Sequence, residues 1–206
     1  MLPEKTVERL SQYRRTLLNC LSMGKSHIYS HELAELQNIT AVQVRRDIMF
    51  LGFTSAQRKG YDVKEMIDMI GKVIDSEEVL NIAVVGMGNL GTAVTHYFTG
   101  KRPRLNIVAS FDIDPERYGS VISGVECFHM NDLAKVIQER NITIGLLTVP
   151  PEVAVETAQR LVDSGIKGIL NFTTVPLNVS PKVYLEEYDM ITSLEKVAYF
   201  VKKQSD

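Results

Sequence analysis

Long apolar runs and cysteine are both scarce in this chain, and each scarcity excludes a class of protein. No apolar run approaches the ~18–20 residues of a membrane-spanning helix, and the N-terminal stretch MLPEKTVERLSQYRR lacks the apolar core of a signal peptide. Because the four histidines do not cluster with the only cysteines, Cys20 and Cys127, neither a disulfide framework nor a metal site is indicated. We therefore expect a cytoplasmic protein with no membrane partner and no metal.

The net charge of −2 conceals an uneven distribution along the 206 residues. Residues 1–60 hold nine Lys and Arg against five Asp and Glu, a net charge of +4, whereas residues 61–206 hold 14 against 20, a net charge of −6. A chain of this length fits one large domain or two small ones. A basic part joined to an acidic part is typical of a nucleic-acid-binding domain attached to a ligand-binding domain.

Three short helices are predicted in the basic part of the chain. The first covers residues 4–23, the second begins near Ser30, and the third is the stretch TAVQVRRDIMFLG. In the third helix, Thr40 and Gln43 have the spacing of a capping box. Apolar residues at i, i+4 and i+7 then form its buried side: Val44, Ile48 and Leu51.

The opposite side of this third helix carries Val42, Arg46 and Met49, a mixture that a solvated face rarely shows. The polar segment FTSAQRKGYDV follows, with Arg58 and Lys59 near its middle. Three short helices followed by a basic hairpin are the layout of a winged helix-turn-helix domain, which binds DNA. The alternative is a small helical cap on the second domain.

Strands and helices alternate after residues 62–79, which we interpret as a polar helical connector. The apolar strands are LNIAVV, NIVASF, VECFH, ITIGLLTVP and IKGILNF. Apolar strands linked by helices form a parallel sheet that is covered on both faces. We therefore predict an α/β fold: an N-terminal winged helix-turn-helix domain plus a C-terminal Rossmann-type, doubly wound parallel sheet.

A glycine-rich turn, VVGMGNLG, joins the first of these strands to a helix. Gly86, Gly88 and Gly91 have the spacing of the dinucleotide fingerprint, which allows a tight turn, close approach of a pyrophosphate and close helix packing. Asp112 ends the second strand, where a carboxylate accepts hydrogen bonds from the adenine ribose. Arg117 comes too late for the usual contact with a 2′-phosphate. The pattern predicts NAD(H); the alternative is CoA or another nucleotide on the same fold.

Acid and base side chains are scarce where the later strands end. Those ends offer Thr148, Pro150, Asn171 and Phe172, a mostly apolar lining with few titratable groups. An oxidoreductase needs a positioned acid or base beside the nicotinamide, and the chain has no room for a substrate domain. Binding without turnover is therefore favoured over the alternative, a small NAD-dependent oxidoreductase with a helical cap.

A final helix is predicted to open with a capping box formed by Thr192 and Glu195. Its apolar side is wider than a lone surface helix needs, and two interpretations stay open: it packs on its own domain, or it docks on a second subunit. The residues of that side are Leu194, Val197, Ala198, Tyr199, Phe200 and Val201.

Eight stretches in order resemble the Rex family of redox-sensing transcriptional repressors over essentially the full length: RLSQYRRTL, TAVQVRRDI, GYDV, VVGMGNLG, FDIDPE, LLTVP, IKGILNF and AYF. The resemblance implies a homodimer with a winged-helix domain and connector (1–79), a Rossmann domain (80–190) and a last helix exchanged between subunits (191–206). It also implies binding to double-stranded, inverted-repeat operator DNA and to NADH and NAD+, with release from DNA when NADH predominates. A third interpretation, the nucleotide-sensing domain of a transport system, needs no winged helix.

The resemblance also assigns site residues. Arg15, Tyr97 and Asp189 match family positions that link the DNA-binding domain, the cofactor and the partner subunit. The implied DNA contacts are Thr40, Gln43, Arg45 and Arg46, with Arg58 and Lys59 in the wing. The implied cofactor contacts are Gly86, Met87, Gly88, Asn89, Leu90, Gly91, Asp112, Pro150, Asn171 and Phe172, together with Tyr97 and Asp189.

The predicted wing departs from the family pattern. Family wings usually carry several glycines and an Arg-Gly before Gly-Tyr, whereas residues 55–60 read SAQRKG, so that the basic residues are displaced. The departure therefore weakens what the resemblance implies for the wing contacts of Arg58 and Lys59 and for the operator preference.

Overall fold

Two units divide the chain in the computed structural model, Met1–Glu77 and Glu78–Asp206. The structure describes residues 2–52 and 59–204. The wing prediction falls largely on residues 53–58, Arg58 among them, which lie outside the described residues; Lys59 follows them and is exposed. Within the described part of the chain, no helix is both long enough and apolar enough to cross a membrane.

Four helices and a two-stranded sheet make up the described part of the first unit. The three predicted helices are present, and a fourth follows them. The helices are α1 (Glu4–Ser22), α2 (Ser30–Gln37), α3 (Ala41–Met49) and α4 (Val63–Ile74). The strands β1 (His27–Ile28) and β2 (Tyr61–Asp62) pair antiparallel, so the strand before α2 and the strand before α4 lie side by side.

The helix α4 is part of the core of the first unit, which corrects its interpretation as a polar connector. Val63, Met66 and Ile70 recur at helical spacing and are fully buried. The charged residues between them face outward and made the segment look polar. The same core takes in Leu51 from the turn after α3 and side chains from the other helices: Leu10, Tyr13, Leu17, Leu33, Val44 and Ile48.

The second unit alternates strands and helices as predicted, with two strands that the sequence pattern did not show. The strands are β3 (Leu80–Val85), β4 (Leu105–Asp112), β5 (Val121–Ile122), β6 (Val125–His129), β7 (Ile142–Leu147), β8 (Gly168–Asn171) and β9 (Tyr184–Glu187). The helices are α5 (Asn89–Phe98), α6 (Leu133–Glu139), α7 (Pro151–Asp163) and α8 (Met190–Gln204), with a 3-10 turn at Met130–Asp132.

The sheet has the strand order β5-β6-β4-β3-β7-β8-β9. Every neighbouring pair is parallel except β5 and β6, which form an antiparallel hairpin at one edge. The strands added to the predicted sheet are this two-residue β5 and the opposite edge strand β9. The chain starts at the centre with β3, grows outward through β4 and β6, and then returns to the other side of β3 through β7.

Successive side chains of the central strand point to opposite faces of the sheet, and both faces are buried. Ala83 and Val85 belong to the apolar cluster under α6 and α7, whereas Ile82 and Val84 belong to the cluster that includes Val94 of α5. Burial on both faces explains the continuous apolar runs from which the sheet was predicted.

The cap of the last helix lies three residues earlier than predicted. Asp189, rather than Thr192, caps α8: its carboxylate accepts hydrogen bonds from the Ile191 backbone N–H at 2.8 Å and the Thr192 hydroxyl at 2.6 Å. The hydrogen bond from Thr192 lowers the pKa of Asp189. From Met190 to Lys203 every side chain is exposed, including the predicted apolar side.

The burial of α4 is testable by truncating one core side chain. We expect Met66→Ala to destabilise the first unit by about 2–5 kcal/mol, because it leaves a cavity at a fully buried site. Hydrogen exchange of the α1 and α4 amides in the full-length protein should accelerate accordingly. Lys64→Ala, at an exposed position of the same helix, is the control. Equal exchange rates in both variants would mean that α4 is only a connector.

Candidate functional site

Four neighbouring strands of the second unit have their carboxyl ends side by side, at one end of the sheet. Val85, near the end of β3, lies beside Phe111 of β4 and Leu147 of β7, and Leu147 lies beside Asn171 of β8. This end of the sheet includes the point between β3 and β7, where the strand order changes direction: β4 and β6 lie on one side of β3, and β7 and β8 lie on the other. Such a point is the usual place of a ligand in these folds. The structure thus brings together four of the predicted segments: residues 86–91, 112, 148–150 and 171–172.

The glycine turn between β3 and α5 permits a very close approach of the helix to the strand. A Cβ on Gly91 would lie 1.9 Å from the carbonyl oxygen of Gly86, a distance at which no side chain fits. Gly86 itself has a φ of +94°, in the left-handed region that favours glycine. The hydroxyl of Thr148, from the end of β7, donates to the Gly86 carbonyl oxygen at 2.7 Å and ties the turn to the neighbouring strand.

Open space lies beside Gly88, in contrast to the other two glycines of the fingerprint. A Cβ placed there meets nothing within 4 Å, and α5 begins at the next residue, Asn89, followed by Leu90. The first backbone N–H groups of a helix have no partner within it and favour an anion. The turn therefore fits a pyrophosphate. Met87 contributes only backbone here, because its side chain is buried in the core.

Asp112 joins the glycine turn directly. Its carboxylate accepts hydrogen bonds from the backbone N–H groups of Met87 at 2.6 Å, Ile113 at 2.7 Å and Asp114 at 2.9 Å. These bonds occupy part of its acceptor capacity, since two carboxylate oxygens offer about four lone-pair sites. The remaining capacity suits a ribose hydroxyl, as the fingerprint requires.

Arg117 has a role that its place in the sequence did not indicate. Its guanidinium donates from Nη1 to the carbonyl oxygen of Met87 in the glycine turn, and its Nε lies 3.5 Å from Asp114 Oδ2. The side chain therefore braces the turn from the side of β4. Because its guanidinium is engaged with the protein, it does not supply the free cation that a 2′-phosphate would need.

The ends of β7 and β8 are organised by backbone and amide contacts. Pro150 is exposed and immediately precedes α7. Asn171 is buried, and its amide is committed to the following loop: Nδ2 donates to Val175 O at 2.9 Å, and Oδ1 accepts from the Thr173 N–H at 2.9 Å. Phe172 is half-buried and packs edge-on against Tyr188, with 5.5 Å between the ring centres. A direct cofactor contact of Asn171 stays a prediction.

The three residues assigned to communication between domains, cofactor and partner are all exposed. Tyr97 lies on α5 with 65% of its surface exposed, and its ring packs edge-on against Phe98. Arg15 is exposed on α1, and Asp189 caps α8. The roles that the resemblance assigns to these three residues stay predictions.

The predicted recognition helix α3 has the expected division of buried and exposed sides. Thr40 caps it by accepting a hydrogen bond from the Gln43 backbone N–H at 3.2 Å. Arg46 is exposed, and Arg45 is exposed and donates to the Ser30 hydroxyl at 3.3 Å. The outward apolar residues have exposed fractions of 51% for Val42, 70% for Met49 and 54% for Phe50.

The capping box is only half present, because the Gln43 side chain turns to a different partner. Instead of reaching back to Thr40, its Nε2 donates to Asp47 Oδ1 at 2.9 Å. Asp47 is fully buried and also accepts from Arg9, through Nε at 2.6 Å and Nη2 at 2.8 Å, and from the Tyr13 hydroxyl at 2.7 Å. A buried carboxylate thus ties α3 to α1.

Burial and hydrogen bonds together determine the protonation states of Asp47 and Tyr13. Burial raises the pKa of the Asp47 carboxyl, but hydrogen bonds from Arg9, Tyr13 and Gln43 outweigh it and hold that pKa below its ordinary value. Burial, together with the hydrogen bond to Asp47, raises the pKa of the Tyr13 hydroxyl. At neutral pH the carboxyl is therefore ionised, and the hydroxyl keeps the proton that it donates.

Comparison with known proteins shows similarity over the whole chain. A redox-sensing transcriptional repressor Rex from Listeria welshimeri is 35% identical over 201 residues, which are 98% of this chain and 94% of the relative. The crystal structure of RSP, a Rex-family repressor, in complex with β-NADH has a TM-score of 0.89 at 32% identity and covers 100% of this chain and 96% of its own. RSP in complex with β-NAD+ and operator DNA has a TM-score of 0.89 at 33% identity, with 100% and 94% covered.

The chain belongs to the Rex family. It is a redox-sensing transcriptional repressor and not an enzyme, so the alternative of a small oxidoreductase is set aside. Two family models match parts of it: a putative DNA-binding protein N-terminus over residues 1–48 and a CoA binding domain over residues 77–175. These two matches fall on the first and second units, as the predicted fold requires.

The structure shows three polar contacts that the sequence patterns did not indicate. Asp47 lies within the apolar stripe of α3, and a carboxylate in such a stripe is the signal that a buried cationic partner exists. That partner, Arg9, is 38 residues away, so no local pattern identifies it. Thr148 and Arg117 likewise act on the glycine turn from distant segments.

The two glycines around the start of α5 should respond differently to the same substitution. We expect Gly91→Ala to destabilise the second unit strongly, because its Cβ would overlap the backbone of Gly86. Gly88→Ala should leave the stability within about 0.5 kcal/mol, the usual range for a substitution that makes no clash. Thermal unfolding followed by far-ultraviolet circular dichroism measures both. Equal destabilisation would contradict the close packing of α5 on the turn.

Proposed function

We propose that this protein is a homodimer that binds inverted-repeat operator DNA and is released when NADH replaces NAD+. The observation that carries the proposal is the combination within one chain of an exposed recognition helix and a dinucleotide turn. The complexes of RSP with β-NADH, and with β-NAD+ and operator DNA, support the same two partners. The protein would then read the ratio of the two forms of the cofactor.

For DNA, the proposal assigns α3 to the major groove. Arg46 and Gln43 would contact base edges, while Thr40, Arg45 and Lys59, with Arg58 of the wing, would hold phosphates. In a dimer the two recognition helices must lie about one turn of DNA apart, ~34–36 Å, to reach successive major grooves. An inverted repeat is the operator that such two-fold symmetry requires.

For the cofactor, the proposal places the pyrophosphate on residues 86–91, the adenine ribose on Asp112, and the nicotinamide near Pro150, Asn171 and Phe172. The oxidised nicotinamide ring carries a positive charge, whereas the reduced ring is neutral. An apolar lining penalises the charged ring by removing it from water. The half-buried Phe172, packed on Tyr188, supports a preference for NADH at this end of the site.

For the dimer, the proposal is that α8 packs against the partner subunit. The helix exposes Ile191, Leu194, Val197, Phe200 and Val201, a continuous apolar surface that water disfavours. A second copy of the chain would cover it. We also infer a cytoplasmic location, since operator DNA is found there and both cysteines are free thiols.

The proposal is tested by a titration with fluorescent DNA. Full-length protein should bind a labelled inverted-repeat duplex selected from a random-sequence pool, and NADH should release it at concentrations at which NAD+ does not. We expect Arg46→Ala to abolish specific binding while the NADH affinity stays within about twofold, since the two sites lie in different units. Binding that is indifferent to NADH, or catalytic turnover of a metabolite, would contradict the proposal.

The basis of cofactor discrimination has its own test. Phe172→Asp should narrow the ratio of NADH to NAD+ affinity by about tenfold, because a carboxylate stabilises the charged ring and removes apolar lining. Isothermal titration calorimetry with each cofactor measures the ratio. Phe172→Leu keeps the lining apolar and should keep the ratio. If Phe172→Asp left both affinities unchanged, the apolar pocket would not be the source of discrimination.

A further inference from the structure

The side chain of Gln43 donates a hydrogen bond to the Asp47 carboxylate, whose own position is fixed by other hydrogen bonds. Asp47 is fully buried, and its two oxygens accept hydrogen bonds from both nitrogens of the Arg9 fork, from Tyr13 and from Gln43. An ionised carboxylate has about four lone-pair sites, so these bonds saturate it. Arg9 and Tyr13 lie on α1, which fixes Asp47 from outside its own helix.

This contact determines which way the Gln43 amide faces. A carboxylate only accepts hydrogen bonds, so the amide nitrogen, and not the carbonyl oxygen, must face Asp47. The Gln43 oxygen and its second N–H are therefore presented in one fixed order. A glutamine without such a partner can turn its amide over and present donor and acceptor in either order.

The fixed amide lies where another molecule can reach it. Gln43 and Asp47 line an open groove together with Thr6, Arg46, Met49 and Phe50. Arg46, Met49 and Phe50 are exposed on the same side of α3. The groove is open to solvent, and both Gln43 and Arg46 line it, so a molecule on this side of α3 can meet both residues.

We propose that Asp47 is a positioning residue for base recognition, which holds the Gln43 amide so that α3 accepts one base pair at the position that Gln43 reads. The inference rests on the proposed function, in which α3 enters the major groove. One donor and one acceptor in a fixed order match the N7 acceptor and N6 donor of adenine. Adenine is therefore the expected base at that position of each half-site.

The test compares base preference rather than affinity. The duplex selected by the wild-type, full-length protein is changed one base pair at a time, and fluorescence anisotropy at constant salt gives the affinity of each duplex. Wild-type protein should prefer adenine at one position of each half-site by about tenfold or more. Asp47→Asn should reduce this preference to about threefold or less, because an asparagine both donates and accepts and lets the amide turn over.

Two variants separate positioning from a merely structural role. In a Gln43→Ala background, Asp47→Asn should change the affinity for every duplex by the same factor, because the residue through which it acts is gone. Tyr13→Phe removes one hydrogen bond to Asp47 and none to Gln43, so it should lower stability and keep the adenine preference. A uniform loss of affinity in Asp47→Asn, with the preference retained, would overturn the proposal.

If Asp47→Asn does not fold, the mobility of the Gln43 side-chain amide in the wild-type protein tests the proposal instead. Gln159 donates to Asp163 at 2.7 Å with the same spacing along a helix, but that pair is exposed. In ¹⁵N relaxation, the side-chain amide of Gln43 should be as rigid as the backbone and that of Gln159 mobile. Equal mobility would overturn the proposal. If the wild-type protein selects no duplex at all, the proposed function fails, and this inference fails with it.

Discussion

The contact between Gly91 and the carbonyl of Gly86 determines where α5 begins relative to β3, and the nucleotide site depends on it. Because Gly91 carries no Cβ, the first turn of the helix lies against the backbone of Gly86, and its backbone N–H groups lie at the carboxyl ends of the strands. Thr148 holds the same turn from β7, and Asp112 holds it from β4. A turn held from three directions loses little freedom when a ligand binds, which favours affinity.

The two units use polar bonds for the same purpose. Apolar packing determines where each helix and strand lies, but it is non-directional and does not determine which polar group faces a ligand. In the second unit, Asp112 sets the orientation of the Met87 peptide; in the first, Asp47 sets the orientation of the Gln43 amide. Burying a carboxylate is unfavourable unless its hydrogen bonds are complete. Asp47 has a complete set, which is why a charge can remain inside the core of the first unit.

The sequence predicted those features that depend on local periodicity. The stripe of Val44, Ile48 and Leu51 and the apolar strands around the glycine turn were identified because their spacing repeats within a few residues. Features that depend on a distant partner were missed: the burial of α4, the edge strand β9 and the cluster around Asp47. The cap of α8 was misplaced for a related reason, since both Asp189 and Thr192 have a suitable side chain and only the backbone geometry chooses between them.

Under the proposed function, a cofactor in one unit controls DNA binding by the other only if it binds the two states of the dimer with different affinity. Full reversal, from about 1:99 to 99:1, needs a difference of about 5.5 kcal/mol, which two cofactor sites per dimer can share. In that proposal, the apolar lining around Phe172 would favour NADH over NAD+, but it would not by itself distinguish two states of the dimer. Under the same proposal, that difference arises where the two subunits meet, and the exposed apolar side of α8 is the part of the second unit on which it can arise.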